Sequence, residues 1–258
     1  MSNENNEQLT DEQILMCLYD KTFTCPVCEK TFKSKMIRKG KSKYIRSDID
    51  LKPIYYPLKP EYYDVIVCNN CGYAAVSNKF DNLTYSQQGE ILEKITPKYV
   101  KKDYPDIYDA DTAIERYKLA LLNCMVKKSR IGEKAYICLK LAWIYRDKED
   151  RKNEFSYLKS AYDGFNEAFT TEKFPICGMD EDTLLYMIAA IGVLIGNLED
   201  SKRILGKLIV KKSLTKRLKD KIIDAKERIK IIEENNITNE NESWEVNYVF
   251  KKAWDKGF

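Results

Sequence analysis

Histidine is absent from all 258 residues. That single gap excludes a Ser-His-Asp triad, a Cys-His pair, a His-ligated haem and any mixed Cys/His or His-carboxylate metal site. Long apolar runs are missing as well. The longest uncharged stretch, residues 183–198 ("TLLYMIAAIGVLIGNL"), falls short of the roughly 20 residues that span a membrane. Gly192, Gly196 and Asn197 interrupt its end, so a buried helix followed by a turn is expected. The polar, acidic start, "MSNENNE", has neither the basic residues nor the apolar core of a signal peptide and predicts a cytoplasmic chain. Net charge is small, +4 from 44 basic and 40 acidic side chains, and only nine of the basic residues are arginine. A nucleic-acid binder would be expected to carry a stronger basic bias and more arginine. With 44% hydrophobic and 33% charged residues, the chain has the composition of a globular protein.

What is present in quantity is cysteine. A cytosolic chain does not normally keep disulfides, and four of the eight cysteines fall in two Cys-x-x-Cys pairs, Cys25/Cys28 and Cys68/Cys71. Two residues between thiols let both reach one metal ion from a tight turn, whose N–H groups also stabilise sulfur charge. With no histidine the expected site is an all-sulfur tetrahedron, suited to structural Zn2+. Its four thiolates and one divalent ion would bring the net charge from +4 to near +2. Phe32 and Tyr73 are placed to pack over it. Cys-Pro-x-Cys also occurs in disulfide oxidoreductases, where the first thiolate sits at a helix N-terminus. Here the sequence after Cys28 is strand-like and lysine-rich, yet a redox or iron centre stays open. The other four cysteines read as inert: Cys17 in a short first helix, Cys124 and Cys138 in apolar helical patterns, and Cys177 in a loop.

The chain changes character near residue 105. Before it, Thr31 to Ile37 and Tyr62 to Val67 read as strands, residues 33–63 hold a hairpin, and helices are expected at Asp11 to Leu18 and Ser86 to Ile95. After it the apolar period is helical. Ile114, Tyr117, Leu121 and Met125 form one stripe; Tyr136, Leu139 and Trp143 another; Leu218, Ile222, Ala225, Ile229 and Ile232 a third. Beyond a polar joint, Val246, Val249, Phe250, Ala253 and Trp254 predict a C-terminal docking helix.

A weak repeat runs through the helical part. Small residues recur in a frame that restarts at Ala113, Glu154 and Ser201, after 41 and 47 residues. Such a frame resembles the tetratricopeptide helix pair, although its unit is longer than the usual repeat of about 34 residues. The alternative is an ordinary helical bundle with small residues at its contacts. In a solenoid, Tyr136, Leu139, Trp143, Arg146 and Tyr186 would line a concave face that takes a protein or peptide. Two competing surfaces remain. Lys33, Lys35, Arg38, Lys39, Lys41, Lys43 and Arg46, with Tyr44, Tyr55 and Tyr56 nearby, could hold single-stranded nucleic acid. Carboxylates at Asp48 and Asp50, or at Asp180, Glu181 and Asp182, could serve an enzyme, though the latter trio reads better as a helix cap.

The phrases "TCPVCEKTF", "SDIDLKPIYYPLKPEYYDVIVCNNCGYAA", "DTAIERYKLALL" and "CLKLAWIYRD" resemble an uncharacterised bacterial family, the domain of unknown function numbered 2225. The resemblance covers roughly residues 20–235. It implies a four-cysteine zinc-binding region, with Cys25, Cys28, Cys68 and Cys71 as ligands, fused to tetratricopeptide-like helices, and no established activity. The expected fold is α+β, mostly α. A zinc-ribbon-like module with flanking helices would span 1–105, a helical solenoid or bundle 106–235, and the joint and docking helix 236–258. The expected function is a zinc-stabilised adaptor without enzymatic or membrane role, with a nucleic-acid-binding ribbon as the alternative.

Overall fold

The computed structural model describes residues 9–234; the expected C-terminal docking helix lies outside them. The described chain is mostly helical, with eight α-helices and three small antiparallel two-stranded sheets near the N-terminus. Within those residues it divides into two compact units, one built from residues 9–47 together with Pro53–Ser129, the other from Asp48–Lys52 together with residues 130–234. Among the described residues no helix is long and apolar enough to cross a membrane.

The first unit begins with α1 (Asp11–Met16), closed at its start by a capping box between Thr10 and Gln13. Leu18 leaves the helix and opens β1 (Leu18–Thr24), which pairs in register with β2 (Thr31–Ile37) from Leu18↔Ile37 to Thr24↔Thr31. The expected strand at Thr31 to Ile37 is therefore present; its partner β1 was not expected, and only its first residue, Leu18, falls within the helix expected at Asp11 to Leu18. A second ribbon joins β3 (Lys43–Ser47) to β4 (Pro53–Tyr56), with a bulge between Tyr44 and Arg46. The third joins β5 (Val65–Val67) to β6 (Ala74–Val76), with every residue of both strands buried. The expected strand at Tyr62 starts late because Pro60 opens a short 3-10 turn, Pro60–Tyr63; proline suits a first helical position, where no N–H is needed.

Helix α2 (Tyr85–Lys94) carries the capping box Thr84/Gln87. Helix α3 (Ala110–Val126) packs on β5 and β6. Its buried face is Ala113, Ile114, Arg116, Tyr117, Ala120, Asn123 and Cys124, whereas Met125 is exposed. The stripe read through Leu121 and Met125 advances in four-residue steps, each about 40° past a full turn. By Met125 it has rotated off the face that Tyr117 occupies.

The second unit holds α4 (Ile131–Asp147), α5 (Arg151–Thr171), α6 (Glu181–Leu194), α7 (Leu198–Ile209) and α8 (Lys216–Glu234). Each packs on the next, and α8 also reaches α6. Asp150 and Asp180 cap α5 and α6 by accepting from Asn153 N and Thr183 N, satisfying N–H groups that the helix itself leaves unpaired. Small residues sit where helices approach. A Cβ on Gly164 would stand 2.9 Å from that of Ala135, and one on Gly192 only 2.4 Å from Ser201 Oγ. Ser201 Oγ donates to Ala189 O at 2.9 Å. The core gathers Ile49, Tyr186, Ala189, Ala190, Val193, Leu205, Leu208, Ile222, Ala225, Ile229 and Ile232, which takes in most of the predicted α8 stripe.

Candidate metal centre

Each Cys-x-x-Cys pair sits in the turn of a hairpin, the first between β1 and β2, the second between β5 and β6. The two turns repeat one backbone design. Cys25 N donates to Lys30 O (3.0 Å) and Glu29 N to Cys25 O (2.9 Å); Cys68 N donates to Tyr73 O (2.8 Å) and Gly72 N to Cys68 O (2.9 Å). The residue after the second cysteine of each pair is left-handed, Glu29 at φ 60° and Gly72 at φ 76°. That conformation costs an L-residue strain and glycine none. Gly72 has a further reason to lack a side chain, since its Cβ would lie 2.5 Å from Tyr99 Cγ. Val27 N points at Cys25 Sγ at 3.4 Å, the amide-to-sulfur contact expected of such a turn.

The turns face each other. All four sulfurs lie within 4.8 Å of one another, with Cys25 Sγ 3.5 Å from Cys71 Sγ and Cys28 Sγ 3.6 Å from Cys68 Sγ. Sulfurs about 2.3 Å from one tetrahedral ion stand about 3.8 Å apart, so the donor set fits one metal ion. All eight cysteines of the chain are unlinked. Four thiols this close cannot ionise independently. Cys25 is pushed up to about 12, first by its contact with Cys68. Cys71 is driven well above the ordinary thiol range by Cys25 and Cys68. Cys68 is pulled down to about 2 by the hydrogen bonds that Cys25 and Cys71 offer it. One thiolate is favoured at its neighbours' expense, and a divalent cation is what would let all four ionise together.

Residues 18–229 match the family described as "Uncharacterized protein conserved in bacteria (DUF2225)". The chain belongs to that family. No curated protein and no solved structure matches it.

Around the sulfurs the DUF2225 chain builds an apolar shell. Cys25, Cys68 and Cys71 are fully buried, and Cys28 lies half-buried at the edge. Phe32 stacks on Phe23, and both meet Phe80 edge-on. Tyr73, predicted to cover the site, packs on Phe80 at 4.9 Å and donates its hydroxyl to Phe80 O at 2.9 Å. Three supporting residues escaped the sequence reading. Thr96 Oγ1 donates to Cys71 O at 3.1 Å, Asn123 Nδ2 donates to Gly72 O at 3.1 Å, and Phe80 centres the aromatic cluster. Asn123 had a usable signal, a polar amide in the apolar phrase "LLNCMV"; Thr96 and Phe80 had none.

The residues read as a partner groove all lie in the second unit. Leu139, Trp143 and Tyr186 are buried, and Tyr136 is half-buried with Lys140 Nζ 5.2 Å from its ring. Tyr186 donates its hydroxyl to Ile49 O at 2.6 Å. Arg146 is held by carboxylates. Its Nε donates to Glu154 (2.6 Å), NH1 to Asp48 (3.0 Å) and Asp50 (3.2 Å), and NH2 to Asp50 (2.7 Å). Trp143 Nε1 donates to Asp50 at 2.8 Å, Arg228 pairs with Asp48 at 2.9 Å, and Lys52 pairs with Asp147. Asp48 and Asp50, weighed as candidate catalytic carboxylates, are thus the anions of a buried ion network. Burial pushes Asp48 up, but the guanidiniums of Arg146 and Arg228 hold it below the usual carboxylate range. Of the other cysteines, Cys124 and Cys138 are buried as expected, and burial raises Cys138 to about 11.

Proposed function

We propose that this DUF2225 chain is a zinc-stabilised adaptor of the cytoplasm: a structural four-cysteine Zn2+ site staples the first unit, and the second is a tetratricopeptide-like surface for a protein or peptide. The observation that carries the reading is the convergence of four free sulfurs from two matching turns. A metal is favoured over a dithiol redox pair because the turns feed strands, not a helix N-terminus; four thiolates suit zinc and iron alike, and elemental analysis separates the two. Four thiolates fill a tetrahedral sphere, so the role is structural. Holding the site folded, Cys25, Cys28, Cys68 and Cys71 would bind the ion while Thr96 and Asn123 keep the second turn in place. The solenoid reading draws support from helices that pack in sequence and cross at Ala135/Gly164 and Gly192/Ser201.

The test has two arms. Elemental analysis of protein purified without added metal should find one Zn2+ per chain. Cys68→Ser should lose it and unfold the first unit. Iron, or a stable and metal-free wild type, overturns the zinc reading. Affinity capture from the source organism should then return a partner that Tyr136→Ala weakens. A partner retained equally by that variant, or none, counts against the adaptor.

A further inference from the structure

The β3–β4 ribbon of the first unit is more exposed than a structural hairpin needs to be. Residues 43–46, which are Lys43, Tyr44, Ile45 and Arg46, are all exposed, so neither face of β3 is covered before Ser47. Tyr44 is 49% exposed, Ile45 58% and, across the ribbon, Tyr56 43%. The bulge at Ile45 breaks the alternation that would hide one of these side chains. A two-stranded ribbon that buries only Ser47 and partly covers Pro53, Ile54 and Tyr55 is marginal by itself, and apolar and aromatic side chains left in solvent together mark a binding surface.

The charge around the ribbon selects the occupant. Residues 30–47 contain eight cations, Lys30, Lys33, Lys35, Arg38, Lys39, Lys41, Lys43 and Arg46, and no carboxylate. Lys35 is drawn to Asp20 and Asp106 at 3.1 and 2.8 Å, and Lys30 to Asn70 at 3.0 Å. Lys33, Arg38, Lys39, Lys41, Lys43 and Arg46 are exposed to solvent. Tyr44 sits edge-on to Tyr55 at 5.9 Å, and Arg38 lies 5.6 Å over Tyr19. Cations interleaved with aromatic rings match a phosphate chain whose bases are free to stack, which is a single strand and not a duplex. Most of the cations are lysines, point charges that meet phosphate without the forked geometry that reads a base edge.

We infer that the β3–β4 ribbon and the lysine-rich turn before it bind single-stranded nucleic acid without sequence preference, through phosphate contacts from Lys39, Lys41 and Lys43 and base stacking on Tyr44. This goes beyond the adaptor reading and stands without it.

The test uses the full-length, metal-loaded protein and a fluorescein-labelled 20-nucleotide oligothymidine, titrated between about 50 and 200 mM salt. Binding should weaken steeply as salt rises. Joint Lys39→Ala, Lys41→Ala and Lys43→Ala should lower the slope of log affinity against log salt by about 2, since each phosphate contact on a single strand contributes about 0.7. Tyr44→Ala should weaken binding about tenfold and leave that slope unchanged. Tyr44 is exposed, so this variant keeps its fold, checked by retained metal and far-UV circular dichroism. No binding at about 50 mM salt overturns the proposal, as does binding indifferent to these variants. Equal competition by polyglutamate with no loss in Tyr44→Ala would assign the ribbon to acidic peptides instead and overturn it too.

Discussion

Replacing Gly72 with alanine should damage the candidate metal centre more than its small size suggests. Alanine at φ 76° is strained by about 1–2 kcal/mol. Its Cβ would also lie 2.5, 2.6 and 2.8 Å from Tyr99 Cγ, Cδ2 and Cβ. Rotating the Tyr99 side chain moves the first two atoms but not the third, which is fixed to the backbone. Relief therefore requires the chain at Tyr99 or the second cysteine turn to shift, an overpacking cost of about 1–3 kcal/mol. Asn123, bonded to Gly72 O, resists the shift of the turn. Together the two costs destabilise the first unit by about 2–5 kcal/mol. Because the metal binds the folded turn, its affinity should fall by the same amount, about 30-fold to several thousand-fold. Urea unfolding at saturating Zn2+ and competition with a chromogenic chelator read the two quantities separately. Tyr99→Ala in the Gly72→Ala background should recover part of the overpacking cost and none of the backbone cost. The matching position, Glu29 at φ 60°, supplies the control: it already carries a Cβ, so Glu29→Ala should be close to neutral. A Gly72→Ala protein within about 0.5 kcal/mol of wild type, with unchanged metal affinity, would refute the reasoning.

The ion network of the second unit yields two more expectations. Asp50→Ala strips Trp143 Nε1 of its acceptor and Arg146 of a fully buried carboxylate, and should cost about 3–5 kcal/mol in denaturant unfolding; a loss below about 1 kcal/mol would mean that water replaces the carboxylate. Asp48 has a folded pKa below its unfolded one, so its stabilisation is complete above the unfolded value of about 4 and is lost as pH falls below it. Acid unfolding of wild type should therefore steepen below about pH 4 relative to Asp48→Asn. Parallel curves would remove Asp48 from that account.

The four-cysteine cluster that could hold a metal was legible from spacing. A hairpin turn is a local object, and Cys-x-x-Cys fixes which two thiols share it whatever surrounds them. The start of α6 was legible for the same reason, since Asp180 caps within its own turn; the Asp150 cap of α5 is equally local and went unread. Faces were harder. The α3 stripe followed apolar residues as far as Met125, while the packed face admits Arg116 and Asn123 because their polar ends find partners: Arg116 in Val65 O and Ser34 Oγ, Asn123 in Gly72 O.

Residues far apart in sequence mark the rest of the boundary. The absence of histidine and the two cysteine pairs determined, from sequence alone, that any zinc held here is held mainly by sulfur. The phrases shared with DUF2225 determined the family. Only the tertiary structure decided that the two turns converge, because the contacts between them join residues some 40 or more apart, as Lys30 with Asn70 and Phe23 and Phe32 with Phe80. Only it decided that Asp48 and Asp50 serve Arg146 and Arg228, across separations of 96 to 180 residues. A carboxylate and a guanidinium look alike in sequence whether they face water or each other, and only the fold supplies the partners that make these two structural.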